Sequence, residues 1–422
     1  MAFTHFKLDD RLQRTVIAAG YTTPTPIQEA TIPAALEGRD LVGTAQTGTG
    51  KTAAFVLPIL QRLLDGPMGR TRALIITPTR ELAEQIHSTI VKLARGTNVR
   101  SATVYGGVGM IPQERALRSG VEIIVACPGR LIDHIERGNP RLQHLEVLVL
   151  DEADRMLDMG FLPSIRRILS HLPAKRQTML FSATFAPELN HLAAQTLRNP
   201  LRVDVGLSAP AQTVAHALYP VAQHLKTPLL LALLKTTQTN SVLVFTRTKH
   251  RANRIAEQLT RAGYRTAALH SNRSQNQRQA ALDDFRAERV QVLVATDIAA
   301  RGLDIQTISH VINYDIPDTA DTYIHRIGRT GRAEREGDAL TLVAPEDHVT
   351  VRDIERALKQ PLERRTLSGF DYHLAMAAPA AAEFHRPPRP AQHHRPTSRP
   401  GPARGSRSAP TGRDRHQREI AR

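Results

Sequence analysis

Val147-Leu148-Val149-Leu150-Asp151-Glu152-Ala153-Asp154 decides how the chain reads. Four apolar residues in a row fit a short strand buried on both faces, as in the middle of a parallel sheet. A carboxylate at the end of such a strand, Asp151, can hold a metal ion, and Glu152 beside it can orient and deprotonate a water. Upstream lies the Gly-rich stretch Ala45-Gln46-Thr47-Gly48-Thr49-Gly50-Lys51-Thr52. Its glycines let backbone N–H groups wrap phosphates, Lys51 reaches the outer phosphates, and the Thr52 hydroxyl can ligate Mg²⁺. In this order, each after an apolar strand, the two stretches make a site for a nucleoside triphosphate and its metal. Ala45 stands where phosphate loops usually begin with Gly.

The chain has 422 residues, too many for one ordinary core, so two or more domains are expected. Hydrophobic content of 41% suits folded α/β domains. A formal charge of +16 points to a polyanionic partner, nucleic acid or an anionic membrane. No segment approaches the roughly 20 apolar residues of a membrane helix, and Met1 to Lys7 lacks the apolar core of a signal peptide. The single cysteine, Cys127, excludes an internal disulfide framework and any Cys-rich metal site. A cytoplasmic protein acting on nucleic acid is expected.

Short apolar runs alternate with helix-period stretches. Ala73–Thr77, Glu122–Ala126, Val147–Leu150 and Met179–Phe181 read as buried parallel strands. The pattern thins between about Leu201 and Gln223. It restarts with strands at Ser241–Phe245, Thr266–Leu269, Val290–Val294, His310–Asn313 and Ala339–Val343. This is the βαβ pattern of a mostly parallel sheet flanked by helices, met twice. The expected division is a first α/β domain over 1–206, a linker over 207–218, a second α/β domain over 219–368 and a tail over 369–422. The second domain has no phosphate loop, and a site shared between the domains would give it a role. In the tail, residues 385–422 hold ten Arg and no Lys against Asp414 and Glu419, which is +8, half the chain's net charge. With little to bury, it should be disordered. It serves either as a solubilising tail or as an auxiliary RNA binder, and Arg without Lys favours the second, because guanidinium stacks on bases and forks onto phosphates.

Taken together, these stretches identify a resemblance. The chain resembles the DEAD-box RNA helicases, ATP-dependent enzymes of helicase superfamily 2. It looks most like the bacterial RhlE-type subgroup, through Asp151 to Phe161 and Val244-Phe245-Thr246-Arg247-Thr248-Lys249-His250. The similarity covers about residues 3–368. It implies two RecA-like domains facing each other, with ATP between them and RNA across both. Gly20-Tyr21-Thr22-Thr23-Pro24-Thr25-Pro26-Ile27-Gln28 is similar to the family's adenine-recognition motif. There the Gln28 amide would pair with the Hoogsteen edge of adenine and Tyr21 would stack on the ring. By the same resemblance Lys51 and Thr52 hold phosphates and Mg²⁺, Asp151 holds the metal through water, and Glu152 is the general base. Ser182-Ala183-Thr184 matches the motif that couples the ATP site to strand separation, with Ser182 and Thr184 as the coupling residues.

The second domain resembles the family in Tyr323 to Arg332, where Arg329 and Arg332 match the arginine fingers and His325 couples the ATP and RNA sites. In Ala295 to Asp304, Gly302 would approach the nucleotide and Asp304 the ribose. The implied RNA track takes Pro78, Thr79, Arg80, Gly107, Gly129 and Arg130 from the first domain. Thr246, Arg247, Gln275, Arg278 and Thr296 continue it in the second. Backbone contacts of this kind carry no sequence code, so little base specificity is expected, and 2′-hydroxyls would distinguish RNA. Two positions depart from the family pattern: Cys127 where Thr is usual before Pro-Gly-Arg, and Ser271 where Gly is usual after His270.

The expected activity is RNA-stimulated ATP hydrolysis coupled to opening short RNA duplexes and remodelling RNA–protein complexes, with ribosome-assembly or RNA-decay complexes as partners of a monomeric core. A DNA translocase of the same superfamily and an ATP-gated RNA clamp stay open as alternatives. The adenine motif and Ser182-Ala183-Thr184 weigh against the first, and the intact Glu152, Arg329 and Arg332 against the second.

Overall fold

The computed structural model describes residues 2–45, 48–205, 214–237, 241–300, 308–330 and 337–374. The chain through Leu374 forms one compact unit built on two sheets. The first holds β1 (Leu41–Thr44), β2 (Ala73–Ile76), β3 (Ser101–Val104), β4 (Ile123–Ala126), β5 (Val147–Leu150), β6 (Gln177–Ser182) and β7 (Leu201–Asp204). The second holds β8 (Val214–Pro220), β9 (Val242–Thr246), β10 (Thr266–Leu269), β11 (Val292–Thr296), β12 (His310–Asn313), β13 (Gly337–Val343) and β14 (Glu363–Arg364). Every pairing is parallel. The spatial orders are β3-β4-β2-β5-β6-β1-β7 and β10-β11-β9-β12-β13-β8-β14. Counted from its own first strand, each sheet reads 3-4-2-5-6-1-7, so the two lobes share one topology. These are the tandem RecA-like domains the resemblance implied.

β2, β4 and β5 are apolar throughout because both sheet faces are covered. Ala73, Ile75, Val147 and Val149 pack into one core layer, while Leu74, Ile76, Leu148 and Leu150 pack into the layer opposite. Each fully buried Leu or Ile contributes about 1.5–3 kcal/mol relative to exposure, so a four-residue strand supports both layers. Edge strands read differently. β7 alternates half-buried with exposed residues, and β3 alternates half-buried with buried ones.

Two expected boundaries are corrected. Residues 214–218, expected in the linker, belong to β8, which pairs along seven residues with β13. Its apolar positions are interrupted by Ala215 and His216, which hid it in the sequence. The second lobe also runs past 368. Phe370 and Tyr372 meet edge to face at 4.9 Å and pack against that lobe's core. The Tyr372 hydroxyl accepts from the Leu367 N–H at 2.9 Å. The fold thus continues to Leu374, and the Arg-rich stretch lies outside the described residues. Among the described residues no helix is long and apolar enough to cross a membrane.

Candidate active site and nucleic-acid track

The phosphate loop leaves β1 at Thr44 and enters the helix Lys51–Leu63. Ala45 stays tied to the sheet by donating its N–H to Ser182 O at 3.0 Å. Gly50 caps the helix at φ +93°, and a Cβ there would lie 2.5 Å from the Gln28 amide nitrogen, so only glycine fits. Gly48, at φ +88°, and Thr49 complete the described part of the loop, while Gln46 and Thr47 lie outside the described residues. The helix N-terminus offers N–H groups and the positive end of its dipole to an anion. Lys51 is buried, and its Nζ donates to Ala45 O at 2.8 Å, which holds the ammonium inside the loop. Thr52 is half-buried in the first turn.

Gln28 is also buried, and its amide is used within the protein. Its Oε1 accepts from Thr25 N at 2.9 Å and its Nε2 donates to Gly50 O at 3.0 Å. The expected adenine reader therefore clamps the phosphate loop to its own helix, Pro26–Leu36. Tyr21 packs edge-on against Phe3, with ring centroids 5.7 Å apart.

β5 delivers the carboxylates. Asp151 continues the sheet by donating its N–H to Ile76 O at 2.9 Å. Glu152 then turns into the left-handed region, φ 51° and ψ 53°, a conformation costing about 1–2 kcal/mol for a residue with a Cβ. Two contacts hold it there: its N–H donates to Asp151 Oδ1 at 3.0 Å, and its Oε2 accepts from Arg155 Nη1 at 2.5 Å. The two acids are driven apart. Burial pushes the Asp151 carboxyl up to about 6, against the pull of Lys51. Burial pushes Glu152 upward as well, but the cations Arg155, Lys51 and Arg329 outweigh it and hold the group below its usual range. Glu152 is thus kept ionised, as a base must be, and Asp151 is a buried acid suited to facing a cation.

The third acid does something the sequence did not assign. Asp154 Oδ2 accepts from Ala183 N (3.0 Å), Thr184 N (2.9 Å) and Thr184 Oγ1 (3.1 Å). Asp154 N donates to Ser182 Oγ at 3.2 Å, and Ser182 Oγ donates to Thr184 O at 2.7 Å. Ser182 and Thr184 are bound to the acidic tetrad through Asp154.

The second lobe faces this site. His325 in the helix Ala320–Ile327, and Arg329 just beyond it, line one narrow cleft with Lys51, Glu152, Asp154 and Arg155. Arg329 is buried, and its Nε donates to His325 O at 3.2 Å. Arg326, given no role in the sequence reading, is the buried brace of this region. It forks onto Asp297 at 2.5 and 2.7 Å, donates to Asn313 Oδ1 and Asp315 O, and sits 4.9 Å above the Phe245 ring. Arg332, Gly302 and Asp304 lie outside the described residues.

The first-lobe track residues gather at helix starts. Pro78 precedes Thr79, which caps the helix Arg80–Leu93, its Oγ1 accepting from Leu82 N at 3.4 Å. Gly107, at φ +83°, lies against Arg80: a Cβ would stand 2.0 Å from Nη1. Gly129 and Arg130 open the helix Pro128–Glu136, and Arg130 Nη1 donates to Val108 O at 3.1 Å. Sequence reasoning missed Gln113, which ties both ends of this loop. Its Oε1 accepts from Tyr105 N at 3.0 Å, and its Nε2 donates to Tyr105 O and Gly109 O, both at 3.1 Å. Cys127 packs against the first lobe's core, and burial pushes its thiol up to about 12.

In the second lobe Thr246 and Thr296 end β9 and β11, and Ser271 is exposed in the turn after β10. Arg247 N donates to Asp315 Oδ2 at 2.8 Å. Gln275 and Arg278, expected on the track, lie where the two lobes meet. Both reach across to Glu81 of the first lobe, Gln275 Nε2 at 3.4 Å and Arg278 Nη2 at 2.8 Å, and both are largely buried there. In this structure they join the lobes.

Comparison with known proteins agrees with this arrangement. Residues 25–192 match the DEAD/DEAH box helicase family model and residues 225–334 the helicase conserved C-terminal domain. Over 368 residues the chain is 43% identical to the ATP-dependent RNA helicase CshA of Listeria monocytogenes, covering 86% of this chain and 71% of that protein. The chain belongs to the DEAD-box family of ATP-dependent RNA helicases. The DEAD-box helicase RhpA of Helicobacter pylori is 41% identical over 86% of this chain and 73% of its own length. Human DDX42 is 43% identical, but the chain spans only 39% of it. The fold is similar to yeast Dbp5 bound to RNA and ADP–BeF₃, with a TM-score of 0.79 and 31% identity over 86% of this chain and 95% of that one. A DEAD-box protein from Methanococcus jannaschii, 34% identical over 87% of this chain and 99% of that one, gives 0.53.

Proposed function

We propose that this DEAD-box chain hydrolyses ATP in response to RNA and uses lobe closure to open short duplexes and remodel RNA–protein complexes. One observation carries the reading: Glu152 on the first lobe and Arg329 on the second share one cleft, so neither lobe holds a complete hydrolytic site. The lobes here are in contact through Glu81 and Arg278, and the chain as a whole is more similar to the Dbp5 structure with RNA and ADP–BeF₃ than to the M. jannaschii protein. Lys51 and the loop N–H groups seat the phosphates, Glu152 accepts the proton of the attacking water, and Arg329 stabilises charge developing on the transferred group. Arg332, Gly302 and Asp304 are proposed to complete that half-site as the family resemblance implies.

Asp151 and Thr52 fit Mg²⁺, which takes few protein oxygens and completes its shell with water and phosphate. Asp151 has a buried carboxylate with one oxygen spoken for by Glu152 N–H. Bound there, Mg²⁺ would offset charge on the phosphates.

RNA spanning both lobes would favour the closed state through its higher affinity for it, and this links RNA binding to turnover. The RhlE-type subgroup, a monomeric core, a cytoplasmic location, ribosome-assembly or RNA-decay partners and RNA binding by the Arg-rich C-terminal stretch belong to the same proposal. Deleting 375–422 should weaken RNA binding and flatten its salt dependence; an unchanged salt slope would assign that stretch another role.

The test is steady-state ATP hydrolysis without nucleic acid, with single-stranded RNA and with single-stranded DNA, for wild type and Glu152→Gln. RNA alone should stimulate, and the variant should lose about 10²–10⁴ in turnover. Equal stimulation by DNA would indicate a general nucleic-acid translocase.

A further inference from the structure

Helix Lys226–Thr236 and helix Lys249–Arg261 pack side by side on one face of the second sheet and leave an open groove of about 730 Å³ between them. Arg251, Arg254, Gln258 and Arg261 follow each other at intervals of three, four and three residues, which places them on one face of the second helix. All four line the groove, and His224 lines it with them. Among the described residues no carboxylate lines it; Glu257, beside Gln258, faces the neighbouring groove on the far side of the helix, which Arg261 also borders. Arg254 and Arg261 are exposed and have no carboxylate partner among the described residues. Arg251 is ion-paired with Asp315, so Arg254 and Arg261 are the two guanidiniums whose charge is left to concentrate positive potential, and Arg forks onto phosphate oxygens.

The groove is also continuous with the RNA track. Asp315 accepts from Arg247 N at 2.8 Å and from Arg251 Nη1, so one carboxylate joins an assigned track residue to the first arginine of the groove. Tyr314, next to Asp315, forms part of the floor.

We propose that this groove seats the sugar–phosphate backbone of single-stranded RNA that has left the inter-lobe track, with Arg254 and Arg261 as its phosphate contacts. The proposal rests on the RNA-helicase reading above. It assigns a length dependence to RNA affinity that the track between the lobes would not produce. Continuity with Arg247 favours RNA over an acidic protein segment, which the same charges could also attract.

The experiment uses the full chain and Arg254→Ala/Arg261→Ala, with charge reversal at both positions as a second variant. Binding is measured by fluorescence anisotropy with oligouridylates of about 6 and about 16 nucleotides, lengths that bracket single-strand site sizes, in a non-hydrolysable ATP analogue at several salt concentrations. The double variant should bind the longer RNA several-fold more weakly, with the charge reversal weaker still. The slope of log K against log salt should fall by about 0.7 for each phosphate that an arginine no longer neutralises. Affinity for the shorter RNA should be unchanged. Wild-type affinity and slope for the longer RNA in both variants would overturn the proposal, as would loss of polyglutamate binding with RNA binding intact. ATP hydrolysis stimulated by the shorter RNA separates the two claims: its absence in the wild type would contradict the helicase reading, while its presence leaves the groove to stand or fall alone.

Discussion

Gly50 shows how one missing side chain sets the site. At φ +93° it lets the loop close on Gln28, and a methyl group would both strain the backbone and displace the amide that accepts from Thr25 N. Gly50→Ala should weaken ATP binding by at least about tenfold, or about 1.4 kcal/mol, while leaving RNA binding without nucleotide unchanged; isothermal titration with an ATP analogue measures the first. Gln113 is the counterpart on the RNA side. Gln113→Leu would strand the Tyr105 N–H and remove donors from two carbonyls, at about 1–3 kcal/mol for each unsatisfied buried group. RNA affinity should fall with nucleotide affinity unchanged; a fall in both would show that Gln113 supports the lobe as a whole. At this scale the sequence was informative wherever chemistry is local. Lys51, Glu152 and Arg329 line one cleft, with Asp151 beside Lys51 and Glu152. Asp154, Gln113 and Arg326 were not legible, because their roles come from partners such as Thr184, Gly109 and Asp297, brought near only by folding.

Elements were readable in proportion to their burial. β2, β4, β5 and β6 are covered on both faces and appear as apolar runs. β7 lies at a sheet edge with alternating exposure, and β8 is interrupted by His216, so both fell where the pattern thinned. The contact between the helices Arg80–Leu93 and Gln275–Arg286 was hidden for another reason: Glu81 and Arg278 are distant in sequence and each looks like an ordinary helix charge. Their pair is largely buried, and breaking such a pair from one side typically costs about 3–5 kcal/mol, because one charge is left without its partner. That penalty falls on the joined lobes, not on either lobe's core. Glu81→Gln or Arg278→Gln should therefore raise the RNA concentration needed for half-maximal ATP hydrolysis with little change in melting temperature. In a double-mutant cycle the two changes should be markedly non-additive. Additive effects would mean that the residues act separately, Arg278 on RNA as the family resemblance implied.

For the whole molecule, two lobes of one topology divide a single hydrolytic site, so the central claim is that ATP and RNA together bring the lobes into the arrangement described. Native Cys127 is packed and its thiol is pushed up to about 12, which leaves engineered cysteines as the reactive ones. Ile111 on the first lobe and Val349 on the second are both exposed, at 63% and 57%. Energy transfer between dyes at Ile111→Cys and Val349→Cys, read for single molecules with an ATP analogue, with RNA and with both, tests the claim most directly. A single shifted transfer population that dominates only when both ligands are present is the predicted result. The same distribution with both ligands as with neither would contradict it.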